Sequence, residues 1–220
     1  MEVNYILLNN KGANNRALIG GSIYAGAAIG LGAIARVLVG EALGAFLFSI
    51  GLLVVCYFGL TLYTGKICYP SLFSPLNYLV MYGCNFIGAA AMGGLITFTR
   101  YGSIATETAT QIMLQKSQDS WLSLMALGFL CNCCIYIAVE IFRTHVGVER
   151  VIMTMLSIMV FILSGFEHSI ANFAYLIMSD EALLEISDVF KVVIAVTVGN
   201  TIGGLVMSLG ITGYNRTRVR

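Results

Sequence analysis

Residues 151–179 read VIMTMLSIMVFILSGFEHSIANFAYLIMS, and the fold turns on how this stretch is read. Glu167 is its only charged residue, with uncharged runs at 151–166 and 168–179 on either side. A membrane-spanning helix needs about 20 apolar residues. Neither run is long enough alone; together they make one span, interrupted near Ser164-Gly-Phe-Glu-His168. Further charge-free runs lie at 17–35, 42–65, 67–99, 120–139 and 192–215. Pro70 and Pro75 break the 67–99 run near its start, so its span begins near residue 76 and ends near 98. Six spans result.

The composition agrees. The 220 residues are 58% hydrophobic and 10% charged, against roughly a quarter charged in an average soluble domain. A soluble enzyme, a disordered chain and a secreted disulfide scaffold are excluded, and net charge +1 gives no sign of nucleic-acid binding. Six cysteines lie in apolar runs, without zinc-type spacing to His145 or His168; they read as reduced, buried small hydrophobes. The expectation is an all-α integral membrane protein, a single membrane channel domain over 1–220. A short cytoplasmic N-terminus at 1–16 carries no signal-peptide core, and a basic cytoplasmic tail occupies 212–220.

Charge orients the bundle. With the N-terminus inside, the inner segments hold Lys11, Arg16, Lys66, Arg143, Arg150, Arg216, Arg218 and Arg220. The outer ones hold Arg36, Arg100, Lys116 and Lys191. Eight against four places both termini in the cytoplasm of a cell (inner or plasma) membrane.

The halves echo each other. Asn85-Phe-Ile-Gly in span three matches Asn200-Thr-Ile-Gly in span six. Gly59-Leu-Thr-Leu-Tyr-Thr-Gly65 in span two faces Ser164-Gly-Phe-Glu-His-Ser169 in span five. This predicts a 3+3 inverted repeat with spans two and five broken, the freed backbone lining a cavity. Tight helix packing is the other use of such glycines.

Candidate residues follow from the cost of polarity in hydrocarbon, about 3 kcal/mol or more for an ionisable group at the bilayer centre. His168, uncharged there, suits hydrogen-bonding an anion or handing it a proton; pinning two helices is the alternative. Glu167 is the weaker candidate, a carboxylate that holds the loop by accepting backbone N–H groups. Thr64 is the natural hydroxyl partner from the other half. Asn132 and Asn200 are pore-lining or interhelical glue. Lys116, at the outer mouth of span four, concentrates anions or merely snorkels. Phe48 and Phe161 form narrow apolar constrictions or pack.

These elements resemble the formate/nitrite transporter family, which includes hydrosulfide channels and lactate-carrying members. Ser164-Gly-Phe-Glu-His168 with Asn172 matches the family's span-five signature. Cys131-Asn132 matches its span-four step, Gly199 to Gly204 its span-six stretch, and Gly59 to Gly65 its span-two loop. The resemblance covers all six spans. It implies an aquaporin-like protomer, one pore per protomer in a homopentamer, and no cofactor or metal. It also implies His168 as central pore histidine, Thr64 as its partner and Lys116 as vestibule lysine. Leu52, Leu62 and Tyr63 become a hydrophobic constriction, Phe48 and Phe161 the slit phenylalanines. Tyr63 stands where the family usually has Phe, and Leu60 and Thr61 where it has a small residue and an acid. The N-terminal segment is shorter than the family's amphipathic helix.

The function expected is a channel or transporter for small monovalent anions such as formate, nitrite, hydrosulfide or short carboxylates, moving anion plus proton. Its partners are the anion, membrane lipid and other copies of the chain. An aquaporin-like water pore is the alternative, although no Asn-Pro-Ala motif is present. An intramembrane enzyme lacks a ligand set or catalytic dyad in the sequence, and a structural subunit would leave His168 replaceable.

Overall fold

The computed structural model describes residues 15–218, with side chains to Ile211. The expectations for the segment 1–16 and the tail 212–220 fall outside the described residues, apart from Asn15, Arg16 and the backbone to Arg218. All regular structure among the described residues is helical. Helix α1 (Asn15–Val39) is followed by α2 (Glu41–Tyr57), a one-turn α3 (Tyr63–Lys66) and α4 (Pro75–Thr97). Then come α5 (Gly102–Ser117), α6 (Trp121–Thr144), α7 (Val148–Leu163), α8 (Ser169–Met178) and α9 (Ile186–Arg218).

Helices α1, α4, α6 and the Ile186–Ile211 part of α9 are each long and apolar enough to cross a membrane. Helices α2 and α7 are short of that length, and each is extended by a second piece after a break. The chain is a multi-pass membrane protein. The half-helix pairs are α2 with α3 and α7 with α8, as the paired interruptions in spans two and five predict.

The local starts follow ordinary capping chemistry. Ser74 accepts the Asn77 N–H at 3.3 Å ahead of Pro75, which takes the first helical position. Ser120 accepts the Ser123 N–H at 3.2 Å at the head of α6. Such caps satisfy N–H groups that the helix itself leaves open.

The halves share a constant spacing. In half one α1 packs on α2 and α4; in half two α6 packs on α7 and α9. The two breaks begin alike. The Leu60 N–H donates to the Val55 carbonyl at 2.9 Å, and the Phe166 N–H to the Phe161 carbonyl at 2.9 Å. The intervening glycines, Gly59 and Gly165, have φ of 64° and 68°. This left-handed helix ending is open to glycine and strained for most other residues. Every equivalent pair in these breaks is 106 residues apart.

The outer helices touch backbone to backbone. A Cβ on Gly88 of α4 would run into the Ile23 carbonyl oxygen of α1; its counterpart Gly203 of α9 faces the Phe129 carbonyl of α6 in the same way. Gly88→Val is expected to separate α1 from α4 and remove most folded protein, read as loss of the monodisperse peak in detergent size-exclusion chromatography. The same change at Gly83, whose Cβ would meet nothing within 4 Å, is expected to be tolerated.

One element departs from expectation. Residues 100–119 fall between the third and fourth spans of the sequence reading, yet α5 fills 102–117. Its sequence, GSIATETATQIMLQKS, is too polar to register as a span, but it buries Ala105, Ala109, Thr110 and Met113 on one face. Lys116 therefore sits in the last turn of α5, just ahead of α6.

Candidate functional site

The two breaks meet at the centre of the bundle, where α2 and α7 also pack together. The Thr64 Oγ1 and His168 Nε2 atoms lie 3.0 Å apart, both residues buried. The other ring nitrogen, Nδ1, accepts the Ala171 N–H at 3.1 Å. A nitrogen that accepts carries no proton, so the ring is the neutral tautomer with its hydrogen on Nε2. The Nε2–H then donates to Thr64 Oγ1, and the threonine hydroxyl hydrogen is left to point elsewhere. Protonating the ring would set a second N–H against that of Ala171.

The walls around this pair are apolar. The Phe161 ring lies parallel to the His168 ring at 5.8 Å, and Phe48 meets Phe161 edge-on at 5.9 Å. Leu52 and Leu62 are fully buried beside them in the same core. Tyr63 turns its hydroxyl onto Thr201 Oγ1 of α9 at 2.8 Å, so the group that distinguishes it from Phe is occupied away from this centre.

Each break is held by an asparagine from the last helix of its own half. Asn85 of α4 accepts the Tyr63 N–H at 2.8 Å and donates to the carbonyls of Ser22 at 2.7 Å and Thr61 at 3.0 Å. Asn200 of α9 accepts the Ser169 N–H at 2.9 Å and donates to Gly128 at 2.8 Å and Glu167 at 2.8 Å. The two clips use equivalent partners throughout. Asn200, a pore-lining candidate from sequence, thus has both ends of its amide taken by backbone. Asn132 donates from Nδ2 to the Thr64 carbonyl at 3.0 Å and to Cys68 Sγ at 3.6 Å. Its Oδ1 and the Ser169 hydroxyl are buried with no hydrogen-bond partner among the described residues.

A second polar group lies beside the His168 break. Lys116 Nζ donates to Glu167 Oε2 at 2.7 Å and to Asn172 Oδ1 at 2.7 Å, and Asn172 Nδ2 donates to the same carboxylate oxygen at 2.9 Å. The triangle closes and is electrically neutral. The lysine also stands 5.3 Å over the Tyr175 ring. Both charged side chains are nearly buried, 12% exposed for Lys116 and 5% for Glu167. Glu167 therefore holds no backbone N–H with its carboxylate, as sequence reasoning had it do; it balances Lys116. Sequence separation hid this, because the cation comes from α5, 51 residues earlier. No cluster of three or more metal-ligating residues occurs among the described residues.

A family model described as Formate/nitrite transporter matches residues 8–214. The formate channel FocA of Haemophilus influenzae (strain ATCC 51907 / DSM 11121 / KW20 / Rd) is 26% identical over 147 residues, 59% of this chain. The match spans about half the length of that curated relative. Among solved structures, a pentameric formate channel with formate bound superposes with a TM-score of 0.77 at 23% identity, covering 96% of this chain and 100% of its own. An ion channel of the FNT family superposes with a TM-score of 0.80 at 24% identity, covering 91% of each. At those identities the likeness is one of fold.

Proposed function

This chain belongs to the formate/nitrite transporter family, and we propose that it is a channel for small monovalent anions that cross together with a proton. The observation that carries this reading is the Thr64–His168 pair, set at 3.0 Å where the two broken helices meet and walled by Phe161. With the Nε2–H donated to Thr64, the pair offers the threonine hydroxyl hydrogen inside an otherwise apolar passage. A donor polarised in this way suits an anion's oxygen or sulfur.

The apolar side chains of Phe48, Phe161, Leu52 and Leu62 set the form in which the solute passes. Stripping water from a bare charge is expensive, so the anion takes up a proton from water beside the constriction and crosses as the neutral acid, releasing the proton to water on the far side. His168, neutral throughout, donates a hydrogen bond and keeps its proton. Lys116 lends its field at one mouth, tempered by Glu167. Asn132 holds Thr64 in place through the backbone.

The rest of the assignment belongs to the same proposal. Five copies assemble, each with its own pore; the superposable formate channel is itself pentameric. The whole chain forms one channel domain, both termini lie in the cytoplasm of the cell membrane, and no chemical conversion of the solute occurs.

The test is flux into proteoliposomes carrying an internal pH dye. Formate, nitrite, hydrosulfide and lactate are offered in turn. At least one is expected to acidify the interior, faster as external pH falls, because the protonated fraction rises. Osmotic water flux with no anion movement would overturn the reading.

A further inference from the structure

The second half neutralises its lysine; the first half does not. The 106-residue spacing that relates Tyr63 to Ser169 and Thr61 to Glu167 also relates Lys66 to Asn172. Each of these last two is the fourth residue of the half-helix after its break. In half two this position belongs to the closed triangle of Asn172, Glu167 and Lys116. In half one the place of Glu167 is taken by Thr61, whose hydroxyl is bound to Ser22 Oγ at 2.8 Å and to the Leu18 carbonyl at 3.3 Å. No carboxylate is there.

Lys66 is half-buried. Its backbone is fixed, with the carbonyl accepting the Tyr78 hydroxyl at 3.2 Å. Its ammonium has no hydrogen-bond acceptor and no acidic partner among the described residues. Glu140 of α6 is taken up by Arg143 at 2.6 Å and by the Tyr69 hydroxyl at 2.5 Å.

We propose that Lys66 is an anion-binding subsite at the inner mouth of the pore, where a small monovalent anion such as formate pairs with its ammonium before reaching Thr64 and His168. The inference rests on the channel reading above. An unbalanced cation in a partly dry setting attracts an anion more strongly than the neutral Lys116–Glu167 pair does. The two mouths of the pore therefore differ in anion affinity, although the backbone that builds them is nearly symmetric. Thr61 is the residue that permits the difference, because a carboxylate at that position would reach Lys66 as Glu167 reaches Asn172.

The experiment measures labelled formate uptake and efflux in cells that lack formate transport of their own. It uses the unsubstituted chain, Lys66→Gln, Lys66→Arg and Thr61→Glu. With Lys66→Gln the half-saturating formate concentration is expected to rise about three- to tenfold in one direction of flux and to stay unchanged in the other. Lys66→Arg is expected to preserve the original value. Thr61→Glu, which keeps the lysine and neutralises it, is expected to reproduce the effect of Lys66→Gln, so the inference does not depend on one variant folding. An unchanged half-saturation in both directions, or an equal change in both, overturns the subsite and leaves the channel standing. Failure of the unsubstituted chain to move formate, nitrite or hydrosulfide overturns the channel reading and the subsite with it.

Discussion

His168→Phe is expected to lower anion flux by about ten- to a hundredfold while leaving the protein folded. The Phe161 ring stacks on the imidazole at 5.8 Å, and a phenyl ring of nearly the same shape fills that place. Two things are lost. The Ala171 N–H loses its acceptor at the head of α8, a capping interaction worth about 1 kcal/mol. Thr64 Oγ1 loses the donor that orients it, and a passing anion loses the oriented hydroxyl hydrogen. A hydrogen bond to a charged group contributes about 1.5–3 kcal/mol, which sets the expected range of the flux loss. His168→Asn restores an acceptor for the cap and a donor for Thr64, and is expected to recover part of the rate. Proteoliposome flux, with size-exclusion chromatography on the same preparations, checks both. Unimpaired flux in His168→Phe would reduce the histidine to a helix pin.

The second large effect is on stability. Glu167→Gln leaves Lys116 charged and nearly buried with amide oxygens as its only acceptors. Removing one partner of a buried ion pair costs about 3–5 kcal/mol. Lys116→Met is expected to be costly in the same way, because it strands the carboxylate. Combining the two changes should cost much less than their sum, since neither charge remains. Thermal unfolding of the purified single and double variants measures this coupling. Additive losses would show that the triangle of Lys116, Glu167 and Asn172 contributes little as a unit.

Six spans were legible because a charge is costly in hydrocarbon, so charge-free runs mark what crosses it. The two breaks were legible for a related reason. Gly59 and Gly165, followed by polar residues, are poor choices for an uninterrupted helix and suit a left-handed turn. The Thr64–His168 pairing could be anticipated from the repeat. Helix α5 could not be read as a helix by the same signal, since a polar connector carries no span signature. The partnership of Lys116 with Glu167 was hidden too. It joins segments whose approach is set by the packing of α5 on α8, which sequence spacing does not encode. Asn85 and Asn200 stood out as a matched pair, yet their work was invisible. Their partners are backbone atoms, and a peptide group carries no mark of the residue to which it belongs.

The two asparagine clips also set an order on biosynthesis. Asn85 ties only to Ser22, Thr61 and Tyr63, all made before it. The first break can close once α4 leaves the ribosome, with α6 to α9 still unmade. Asn200 ties only to Gly128, Glu167 and Ser169. The second break stays unfastened until α9 has been translated and inserted. During that interval the nascent chain carries a first break already fastened and an imidazole not yet fixed in place. The passage is completed late in synthesis, by the same helix that closes the bundle.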